Sequence, residues 1–221
     1  MRKLIAFLAV ISLFTVFGCG SSSTGPSGND DYLPMAVGNQ WNYSLSGYVS
    51  TIGSADTTVL SGSNVTQVIG TTTHQQGFEL YTIKDSLITI MTTPDTVFTH
   101  TTVTMNYAHN TDSEWRMYDD TTSTDYELFM KLPVTLDDTW IPDTSEPTIS
   151  RTVISLSASV SVPAGSYTNC ANLRDTDSTE PDLYFDLFLS RGTGAVKYLA
   201  HATDLNGTVH MAYDLTNSTI N

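Results

Sequence analysis

The sequence predicts an all-β fold: one antiparallel sheet of about a dozen strands joined by short turns. Three observations point there. Serine and threonine are abundant, and no long helical periodicity follows the amino-terminal segment. Bulky residues alternate with small polar ones over several stretches, the pattern of strands with one buried and one wet face. Gly, Pro and Asn cluster between those stretches, where strands must reverse.

The elements follow in chain order. Gly38-Asn39 signals a turn, and Trp41, Tyr43 and Leu45 then occupy every second position of a first strand. Runs near 57–61, 64–69, 77–83, 87–92, 96–107, 114–119 and 125–131 predict further strands. From Ile154 to Val162, apolar Ile154, Leu156, Ala158, Val160 and Val162 alternate with serines. Pro163-Ala164-Gly165 makes a tight turn, Pro fixing φ and Gly accepting a positive one. Runs 167–174 and 183–190 come next. The runs Val196–Ala202 and Val209–Leu215 close the chain around Asn206-Gly207, the preferred pair for a two-residue type I′ loop. That loop would pair Leu205 with Thr208, Ala202 with Met211 and Ala200 with Tyr213.

The amino terminus carries a different message. Arg2 and Lys3 precede an apolar stretch, Leu4 to Phe17, that is too short to span a bilayer, which takes ~20 residues. It fits a secretory signal. Its end, Val16-Phe17-Gly18-Cys19, resembles the bacterial lipobox, with Phe17 where a smaller residue is usual. The resemblance implies cleavage before Cys19, lipidation of its sulfur and acylation of the new amino terminus. Two or more acyl chains hold a protein stably on a membrane without a spanning segment. Residues 1–18 thus read as a lipoprotein signal, 19–31 as lipidated Cys19 plus a flexible Ser/Gly tether, and 32–221 as one β domain. In the sorting scheme of two-membrane bacteria, Gly20 rather than aspartate after the cysteine favours the outer membrane.

The whole chain has a formal charge of −14, and all 23 acids lie after Cys19 while Arg2 and Lys3 precede it. A domain this acidic repels nucleic acid, which is excluded as a partner. The membrane, through the lipid on Cys19, is the expected contact, together with an envelope protein or an apolar ligand.

Three motifs resemble a group of bacterial secreted lipoproteins. Tyr32-Leu33-Pro34-Met35-Ala36-Val37-Gly38-Asn39-Gln40-Trp41-Asn42-Tyr43 is similar to their opening, and Val162-Pro163-Ala164-Gly165-Ser166-Tyr167-Thr168-Asn169-Cys170 to a central motif. Arg191-Gly192-Thr193-Gly194-Ala195-Val196-Lys197 lies near a "P-G-x-G-x-V-K" segment, with Arg191 in place of proline; residues 90–150 match none of the group's motifs. The resemblance implies a single, strongly curved sheet, a half-barrel or barrel-like form similar to periplasmic lipoprotein carriers. It implies no activity, because fold alone does not give function.

Sites of chemistry are few. The chain has no Gly-x-Ser-x-Gly elbow, His-Glu-x-x-His, phosphate loop or Cys-x-x-Cys, and no cofactor is implied. In the Asn-Gly register His201 faces Ala212 and His210 faces Thr203, so the two rings are diagonal neighbours on the polar face. With Asp214 they form the one candidate metal cluster, although surface histidines are the commoner meaning of such a pair. The acidic stretch Asp175 to Asp182 lacks the glycine and glutamate of a calcium hand and reads as a solvated loop. Trp115, Tyr118, Tyr126 and Phe129 read as core aromatics or the lining of a ligand cavity. Cys170 has no disulfide partner once Cys19 is lipidated, and is expected to be a buried thiol. These features favour non-enzymatic binding of an apolar ligand, a glycan or a protein. The alternative is an envelope hydrolase, which requires a histidine bonded to both a carboxylate and a serine.

Overall fold

The computed structural model describes residues 31–51, 53, 57–204 and 207–221. Cys19, the signal and the tether up to residue 30 lie outside them, as do Leu205 and Asn206.

Twelve strands form one antiparallel sheet. They are β1 (Gln40–Thr51), β2 (Thr57–Thr73), β3 (Glu79–Thr92), β4 (Val97–Asn110), β5 (Glu114–Tyr118), β6 (Glu127–Lys131), β7 (Thr139–Trp140), β8 (Ile149–Val162), β9 (Gly165–Asp177), β10 (Glu180–Ser190), β11 (Gly194–Asp204) and β12 (Gly207–Thr219). Their order across the sheet is β6-β5-β4-β3-β2-β1-β12-β11-β10-β9-β8-β7. Every strand except the pair β6 and β7 is hydrogen-bonded to its neighbour in sequence, and β1 pairs with β12. The sheet is therefore an up-and-down meander whose two outer strands, β6 and β7, are themselves consecutive. The expected all-β sheet of about a dozen strands is present, and it does not close into a continuous barrel ladder.

The strand runs differ from expectation in one instructive way. The runs 57–61 and 64–69 are one strand, β2, and 77–83 and 87–92 are one strand, β3. Gly62 lies between the first two. It stands inside β2 because a Cβ there would lie 1.9 Å from the Ile88 carbonyl oxygen of β3. Only glycine permits that approach. Lys84 and Asp85 look equally disruptive in β3, yet the first is exposed and the second buried, as period-2 alternation requires.

The closing hairpin is offset by two residues from the Asn-Gly register. Asp204 pairs with Gly207, Ala202 with Val209, Ala200 with Met211 and Tyr198 with Tyr213. The shift is even, so every side chain keeps its face. Its cause is Gly207, whose Cβ position lies 1.9 Å from the Ser50 carbonyl oxygen of β1. The glycine serves the contact with β1, and the ladder runs past the position a type I′ loop would claim.

The core lines the inner face. Trp41, Tyr43 and Leu45 of β1 lie opposite or beside Leu215, Tyr213 and Met211 of β12, and all are buried. The segments around Trp41, Ala164 and Thr193 meet at one end of this core. The Trp41 Nε1–H donates to the Thr193 carbonyl (2.9 Å) and the Tyr43 hydroxyl to the Ala195 carbonyl (2.9 Å). Gly192 N–H donates to Asp31 O (2.8 Å), and Ala164 N–H in the Pro-Ala turn donates to Leu215 O (2.9 Å). Gly38, at φ 96°, turns the chain so that its N–H reaches Val68 O (2.8 Å). These segments are corner pieces of the sheet.

Candidate functional site

The outer face places the two histidines directly opposite each other, His201 against His210, with ring centroids 6.1 Å apart. The diagonal arrangement is corrected by the two-residue shift. Asp214 is not with them: it stands opposite Lys197 and pairs with its ammonium at 2.7 Å. Among the described residues no three His, Cys, Asp or Glu side chains gather as a metal site would need.

The pair belongs to a row of rings instead. Tyr48 of β1 faces His210 (5.8 Å), and Tyr184 of β10 faces His201 (5.2 Å), each directly across a strand pair. Beyond Tyr184 the Arg174 guanidinium lies 4.6 Å from the ring centroid and forks onto Asp186 at 2.7 and 2.6 Å. Four rings and a guanidinium thus cross five adjacent strands on the outer surface. Tyr48 is 41% exposed and the others half-buried, so the row is open to contact.

The inner face holds polar groups that sequence reading missed. Asn64 and Thr66 on β2 and Asp85 on β3 are each at most 1% exposed. Asp85 Oδ1 lies 2.6 Å from the Thr66 hydroxyl and 3.1 Å from Asn64 Nδ2, and the same hydroxyl lies 3.0 Å from Asn64 Oδ1. One hydroxyl carries one proton and cannot donate to both oxygens. With Asp85 ionised, Thr66 donates to its Oδ1; with Asp85 protonated there, the carboxyl donates to Thr66 and Thr66 to Asn64. Burial favours the protonated form and pushes the Asp85 pKa up to about 7, while hydrogen bonds donated by Thr66 and Asn64 favour the charged one. Burial also raises Tyr213 on the same face, and the Asp85 charge adds to the effect. The signal was present in the alternation of β3, which puts Asp85 on the face of Ile83 and Leu87.

A second buried cluster joins distant strands. Arg151 of β8, 3% exposed, forks onto Asp175 of β9 with two contacts of 2.6 Å. Its Nη1 reaches Glu127 Oε1 (3.1 Å) and the Phe129 carbonyl (2.9 Å), both on β6. Burial works against the Arg151 charge, yet Asp175 and Glu127 hold its pKa above the ordinary arginine value. Asp175 therefore lies inside, and the acidic stretch forms the end of β9, a two-residue turn and the start of β10.

The remaining candidates are structural. Cys170 has no exposed surface and sits in the apolar core, where burial raises its pKa. Trp115, Tyr118 and Phe129 are buried, and Tyr126 is exposed beneath the Arg116 guanidinium at 4.4 Å. His74 uses both ring nitrogens on backbone groups, Nε2 donating to Ser123 O (2.9 Å) and Nδ1 accepting from Gln76 N–H (3.2 Å). His109 bonds the Glu79 carbonyl (2.9 Å). Among the described residues no hydrogen bond joins a histidine to a carboxylate.

No protein-family model matches the chain, and none of the curated proteins does. Three solved structures resemble it. A protein from Bacteroides fragilis described as exported and of YmcC-like fold shares 13% identity over 84% of this chain and 97% of its own, with a TM-score of 0.47. A protein from Parabacteroides distasonis described as a lipoprotein shares 14% over 87% and 100%, with a TM-score of 0.35. A beta-barrel-like protein of a domain of unknown function from Brucella abortus shares 12% over 84% and 98%, with a TM-score of 0.45.

Proposed function

We propose that this chain is a lipid-anchored protein of the bacterial envelope, held on the outer membrane through Cys19, and that it binds a partner on its outer surface without catalysing a reaction. The anchor rests on the n-region, the apolar stretch and the lipobox-like Val16-Phe17-Gly18-Cys19. The observation that carries the binding reading is the outer row Tyr48–His210–His201–Tyr184, left open while the inner face is filled by Trp41, Tyr43, Leu45, Met211 and Leu215. Aromatic rings are enriched at interfaces because they offer large area for little conformational entropy. A sheet filled by its own side chains favours a partner met at the surface over a ligand enclosed within.

Two substitutions test the two halves. Cys19→Ala should move the protein from the membrane to the soluble fraction; continued sedimentation with membranes overturns the anchor. Purification of the lipidated protein from its native envelope should retain a partner that Tyr48→Ser/Tyr184→Ser loses. Equal recovery from both proteins, or no partner with either, overturns the surface.

A further inference from the structure

Among the described residues, the sheet has a long edge with no strand beside it. β4 pairs with β3 from Val97 to Ala108, but with β5 only from Tyr107 to Asn110. The stretch 97–106, about 33 Å long at ~3.3 Å per residue, therefore offers a row of backbone groups with no strand beside it. Its sequence, VFTHTTVTMN, contains no charge and no proline. Its register with β3 has no bulge. Edges of this length are ordinarily blunted by lysine, proline, bulges or a covering loop. The other long stretch left open, that of β8 beyond its two-residue pairing with β7, is blunted: β8 breaks register with β9 three times between Val153 and Val160. The edge of β4 also carries apolar side chains in the open, Val97 at 63%, Phe98 at 57% and Val103 at 57% exposed.

We propose that a second copy of this chain pairs antiparallel with β4 along 97–106, joining two sheets edge to edge. Directly opposite residues must share a face, so the two-fold axis passes through a residue and not between two. Centred on Thr101, Val97 meets the partner's Met105, Thr99 meets the partner's Val103, and Thr101 meets the partner's Thr101. Each apolar residue then meets an apolar or threonine side chain, and no like charges oppose each other. The rims are complementary as well. Lys84 stands beside Met105 in the β3–β4 pair, and the partner's Val97 lies only two residues from the partner's Asp95. The pairing goes beyond the surface-binding reading and uses a different region from the ring row.

Cysteine scanning on the full-length protein, extracted from membranes in mild detergent, reads both the contact and the register. With copper-phenanthroline as oxidant, Thr101→Cys should give a disulfide-linked dimer absent from the parent, since residues opposite one another lie within bridging distance. Val97→Cys and Met105→Cys alone should form no disulfide-linked dimer, and the double variant should cross-link. Thr101→Lys, at an exposed position, should weaken the dimer at least about tenfold in analytical ultracentrifugation by setting like charges face to face. A parent protein that sediments as a monomer overturns the proposal. So does cross-linking by Val97→Cys alone while Thr101→Cys stays uncrosslinked.

Discussion

Asp85 is the residue whose environment makes the sharpest demand. Its folded-state pKa, about 7, lies above the ~3.9 of an unfolded aspartate, so the folded chain binds this proton more tightly. That contribution is full below the unfolded value and is lost as the pH rises through about 7, amounting to at most about 4 kcal/mol. Wild type should thus be more stable to urea at pH 5 than at pH 8. Asp85→Asn keeps the shape and a hydrogen-bonding head group and should remove most of that difference; an unchanged slope would assign it elsewhere. The same scale marks what sequence could resolve. Cys170 was legible, because a partnerless thiol in an alternating strand has little to do but pack. The fate of Asp214 was not, since its ion pair depends on which residue of β11 stands opposite, and that register turned on Gly207.

At the scale of the strand, glycine decides. Alternation located nearly every long strand, but it could not distinguish a glycine that breaks a strand from one that lets two backbones touch. Gly62 is of the second kind, with the Ile88 carbonyl 1.9 Å from where a Cβ would stand. Relief must come from moving backbone, which is expensive inside a paired sheet. Gly62→Ala is accordingly expected to destabilise the domain by about 2–4 kcal/mol, the range of severe single substitutions. Gly70→Ala, in the same strand with nothing within 4 Å, should cost little. Paired urea titrations of the two variants compare these effects, and equal losses would mean that strand entropy rather than backbone approach governs both. The two-residue strand β7 was invisible to alternation, which needs at least four residues to declare a period.

Across the whole molecule the question is what holds the two outer strands together when no ladder does. The seam between β6 and β7 is bridged by Leu128 N–H to Pro142 O (2.7 Å), Trp140 Nε1–H to Leu128 O (2.8 Å), and Arg151 reaching from β8 to Glu127 and Phe129 O. Arg151 differs from the other two bridges because it also forks onto Asp175, so a single guanidinium ties β6, β8 and β9. A buried charge left without its partner costs about 3–5 kcal/mol, whereas replacing a whole buried cluster with apolar groups is often neutral. Arg151→Met should therefore destabilise strongly, stranding Asp175 inside. Arg151→Met/Asp175→Leu should recover much of the loss in stability while still lacking the tie to β6. Hydrogen exchange separates those two effects: in the double variant the amides of β6 and β7 should exchange faster than in wild type, and those of β1 and β12 should not change. Wild-type protection at β6 in the double variant would show that the seam closes without Arg151.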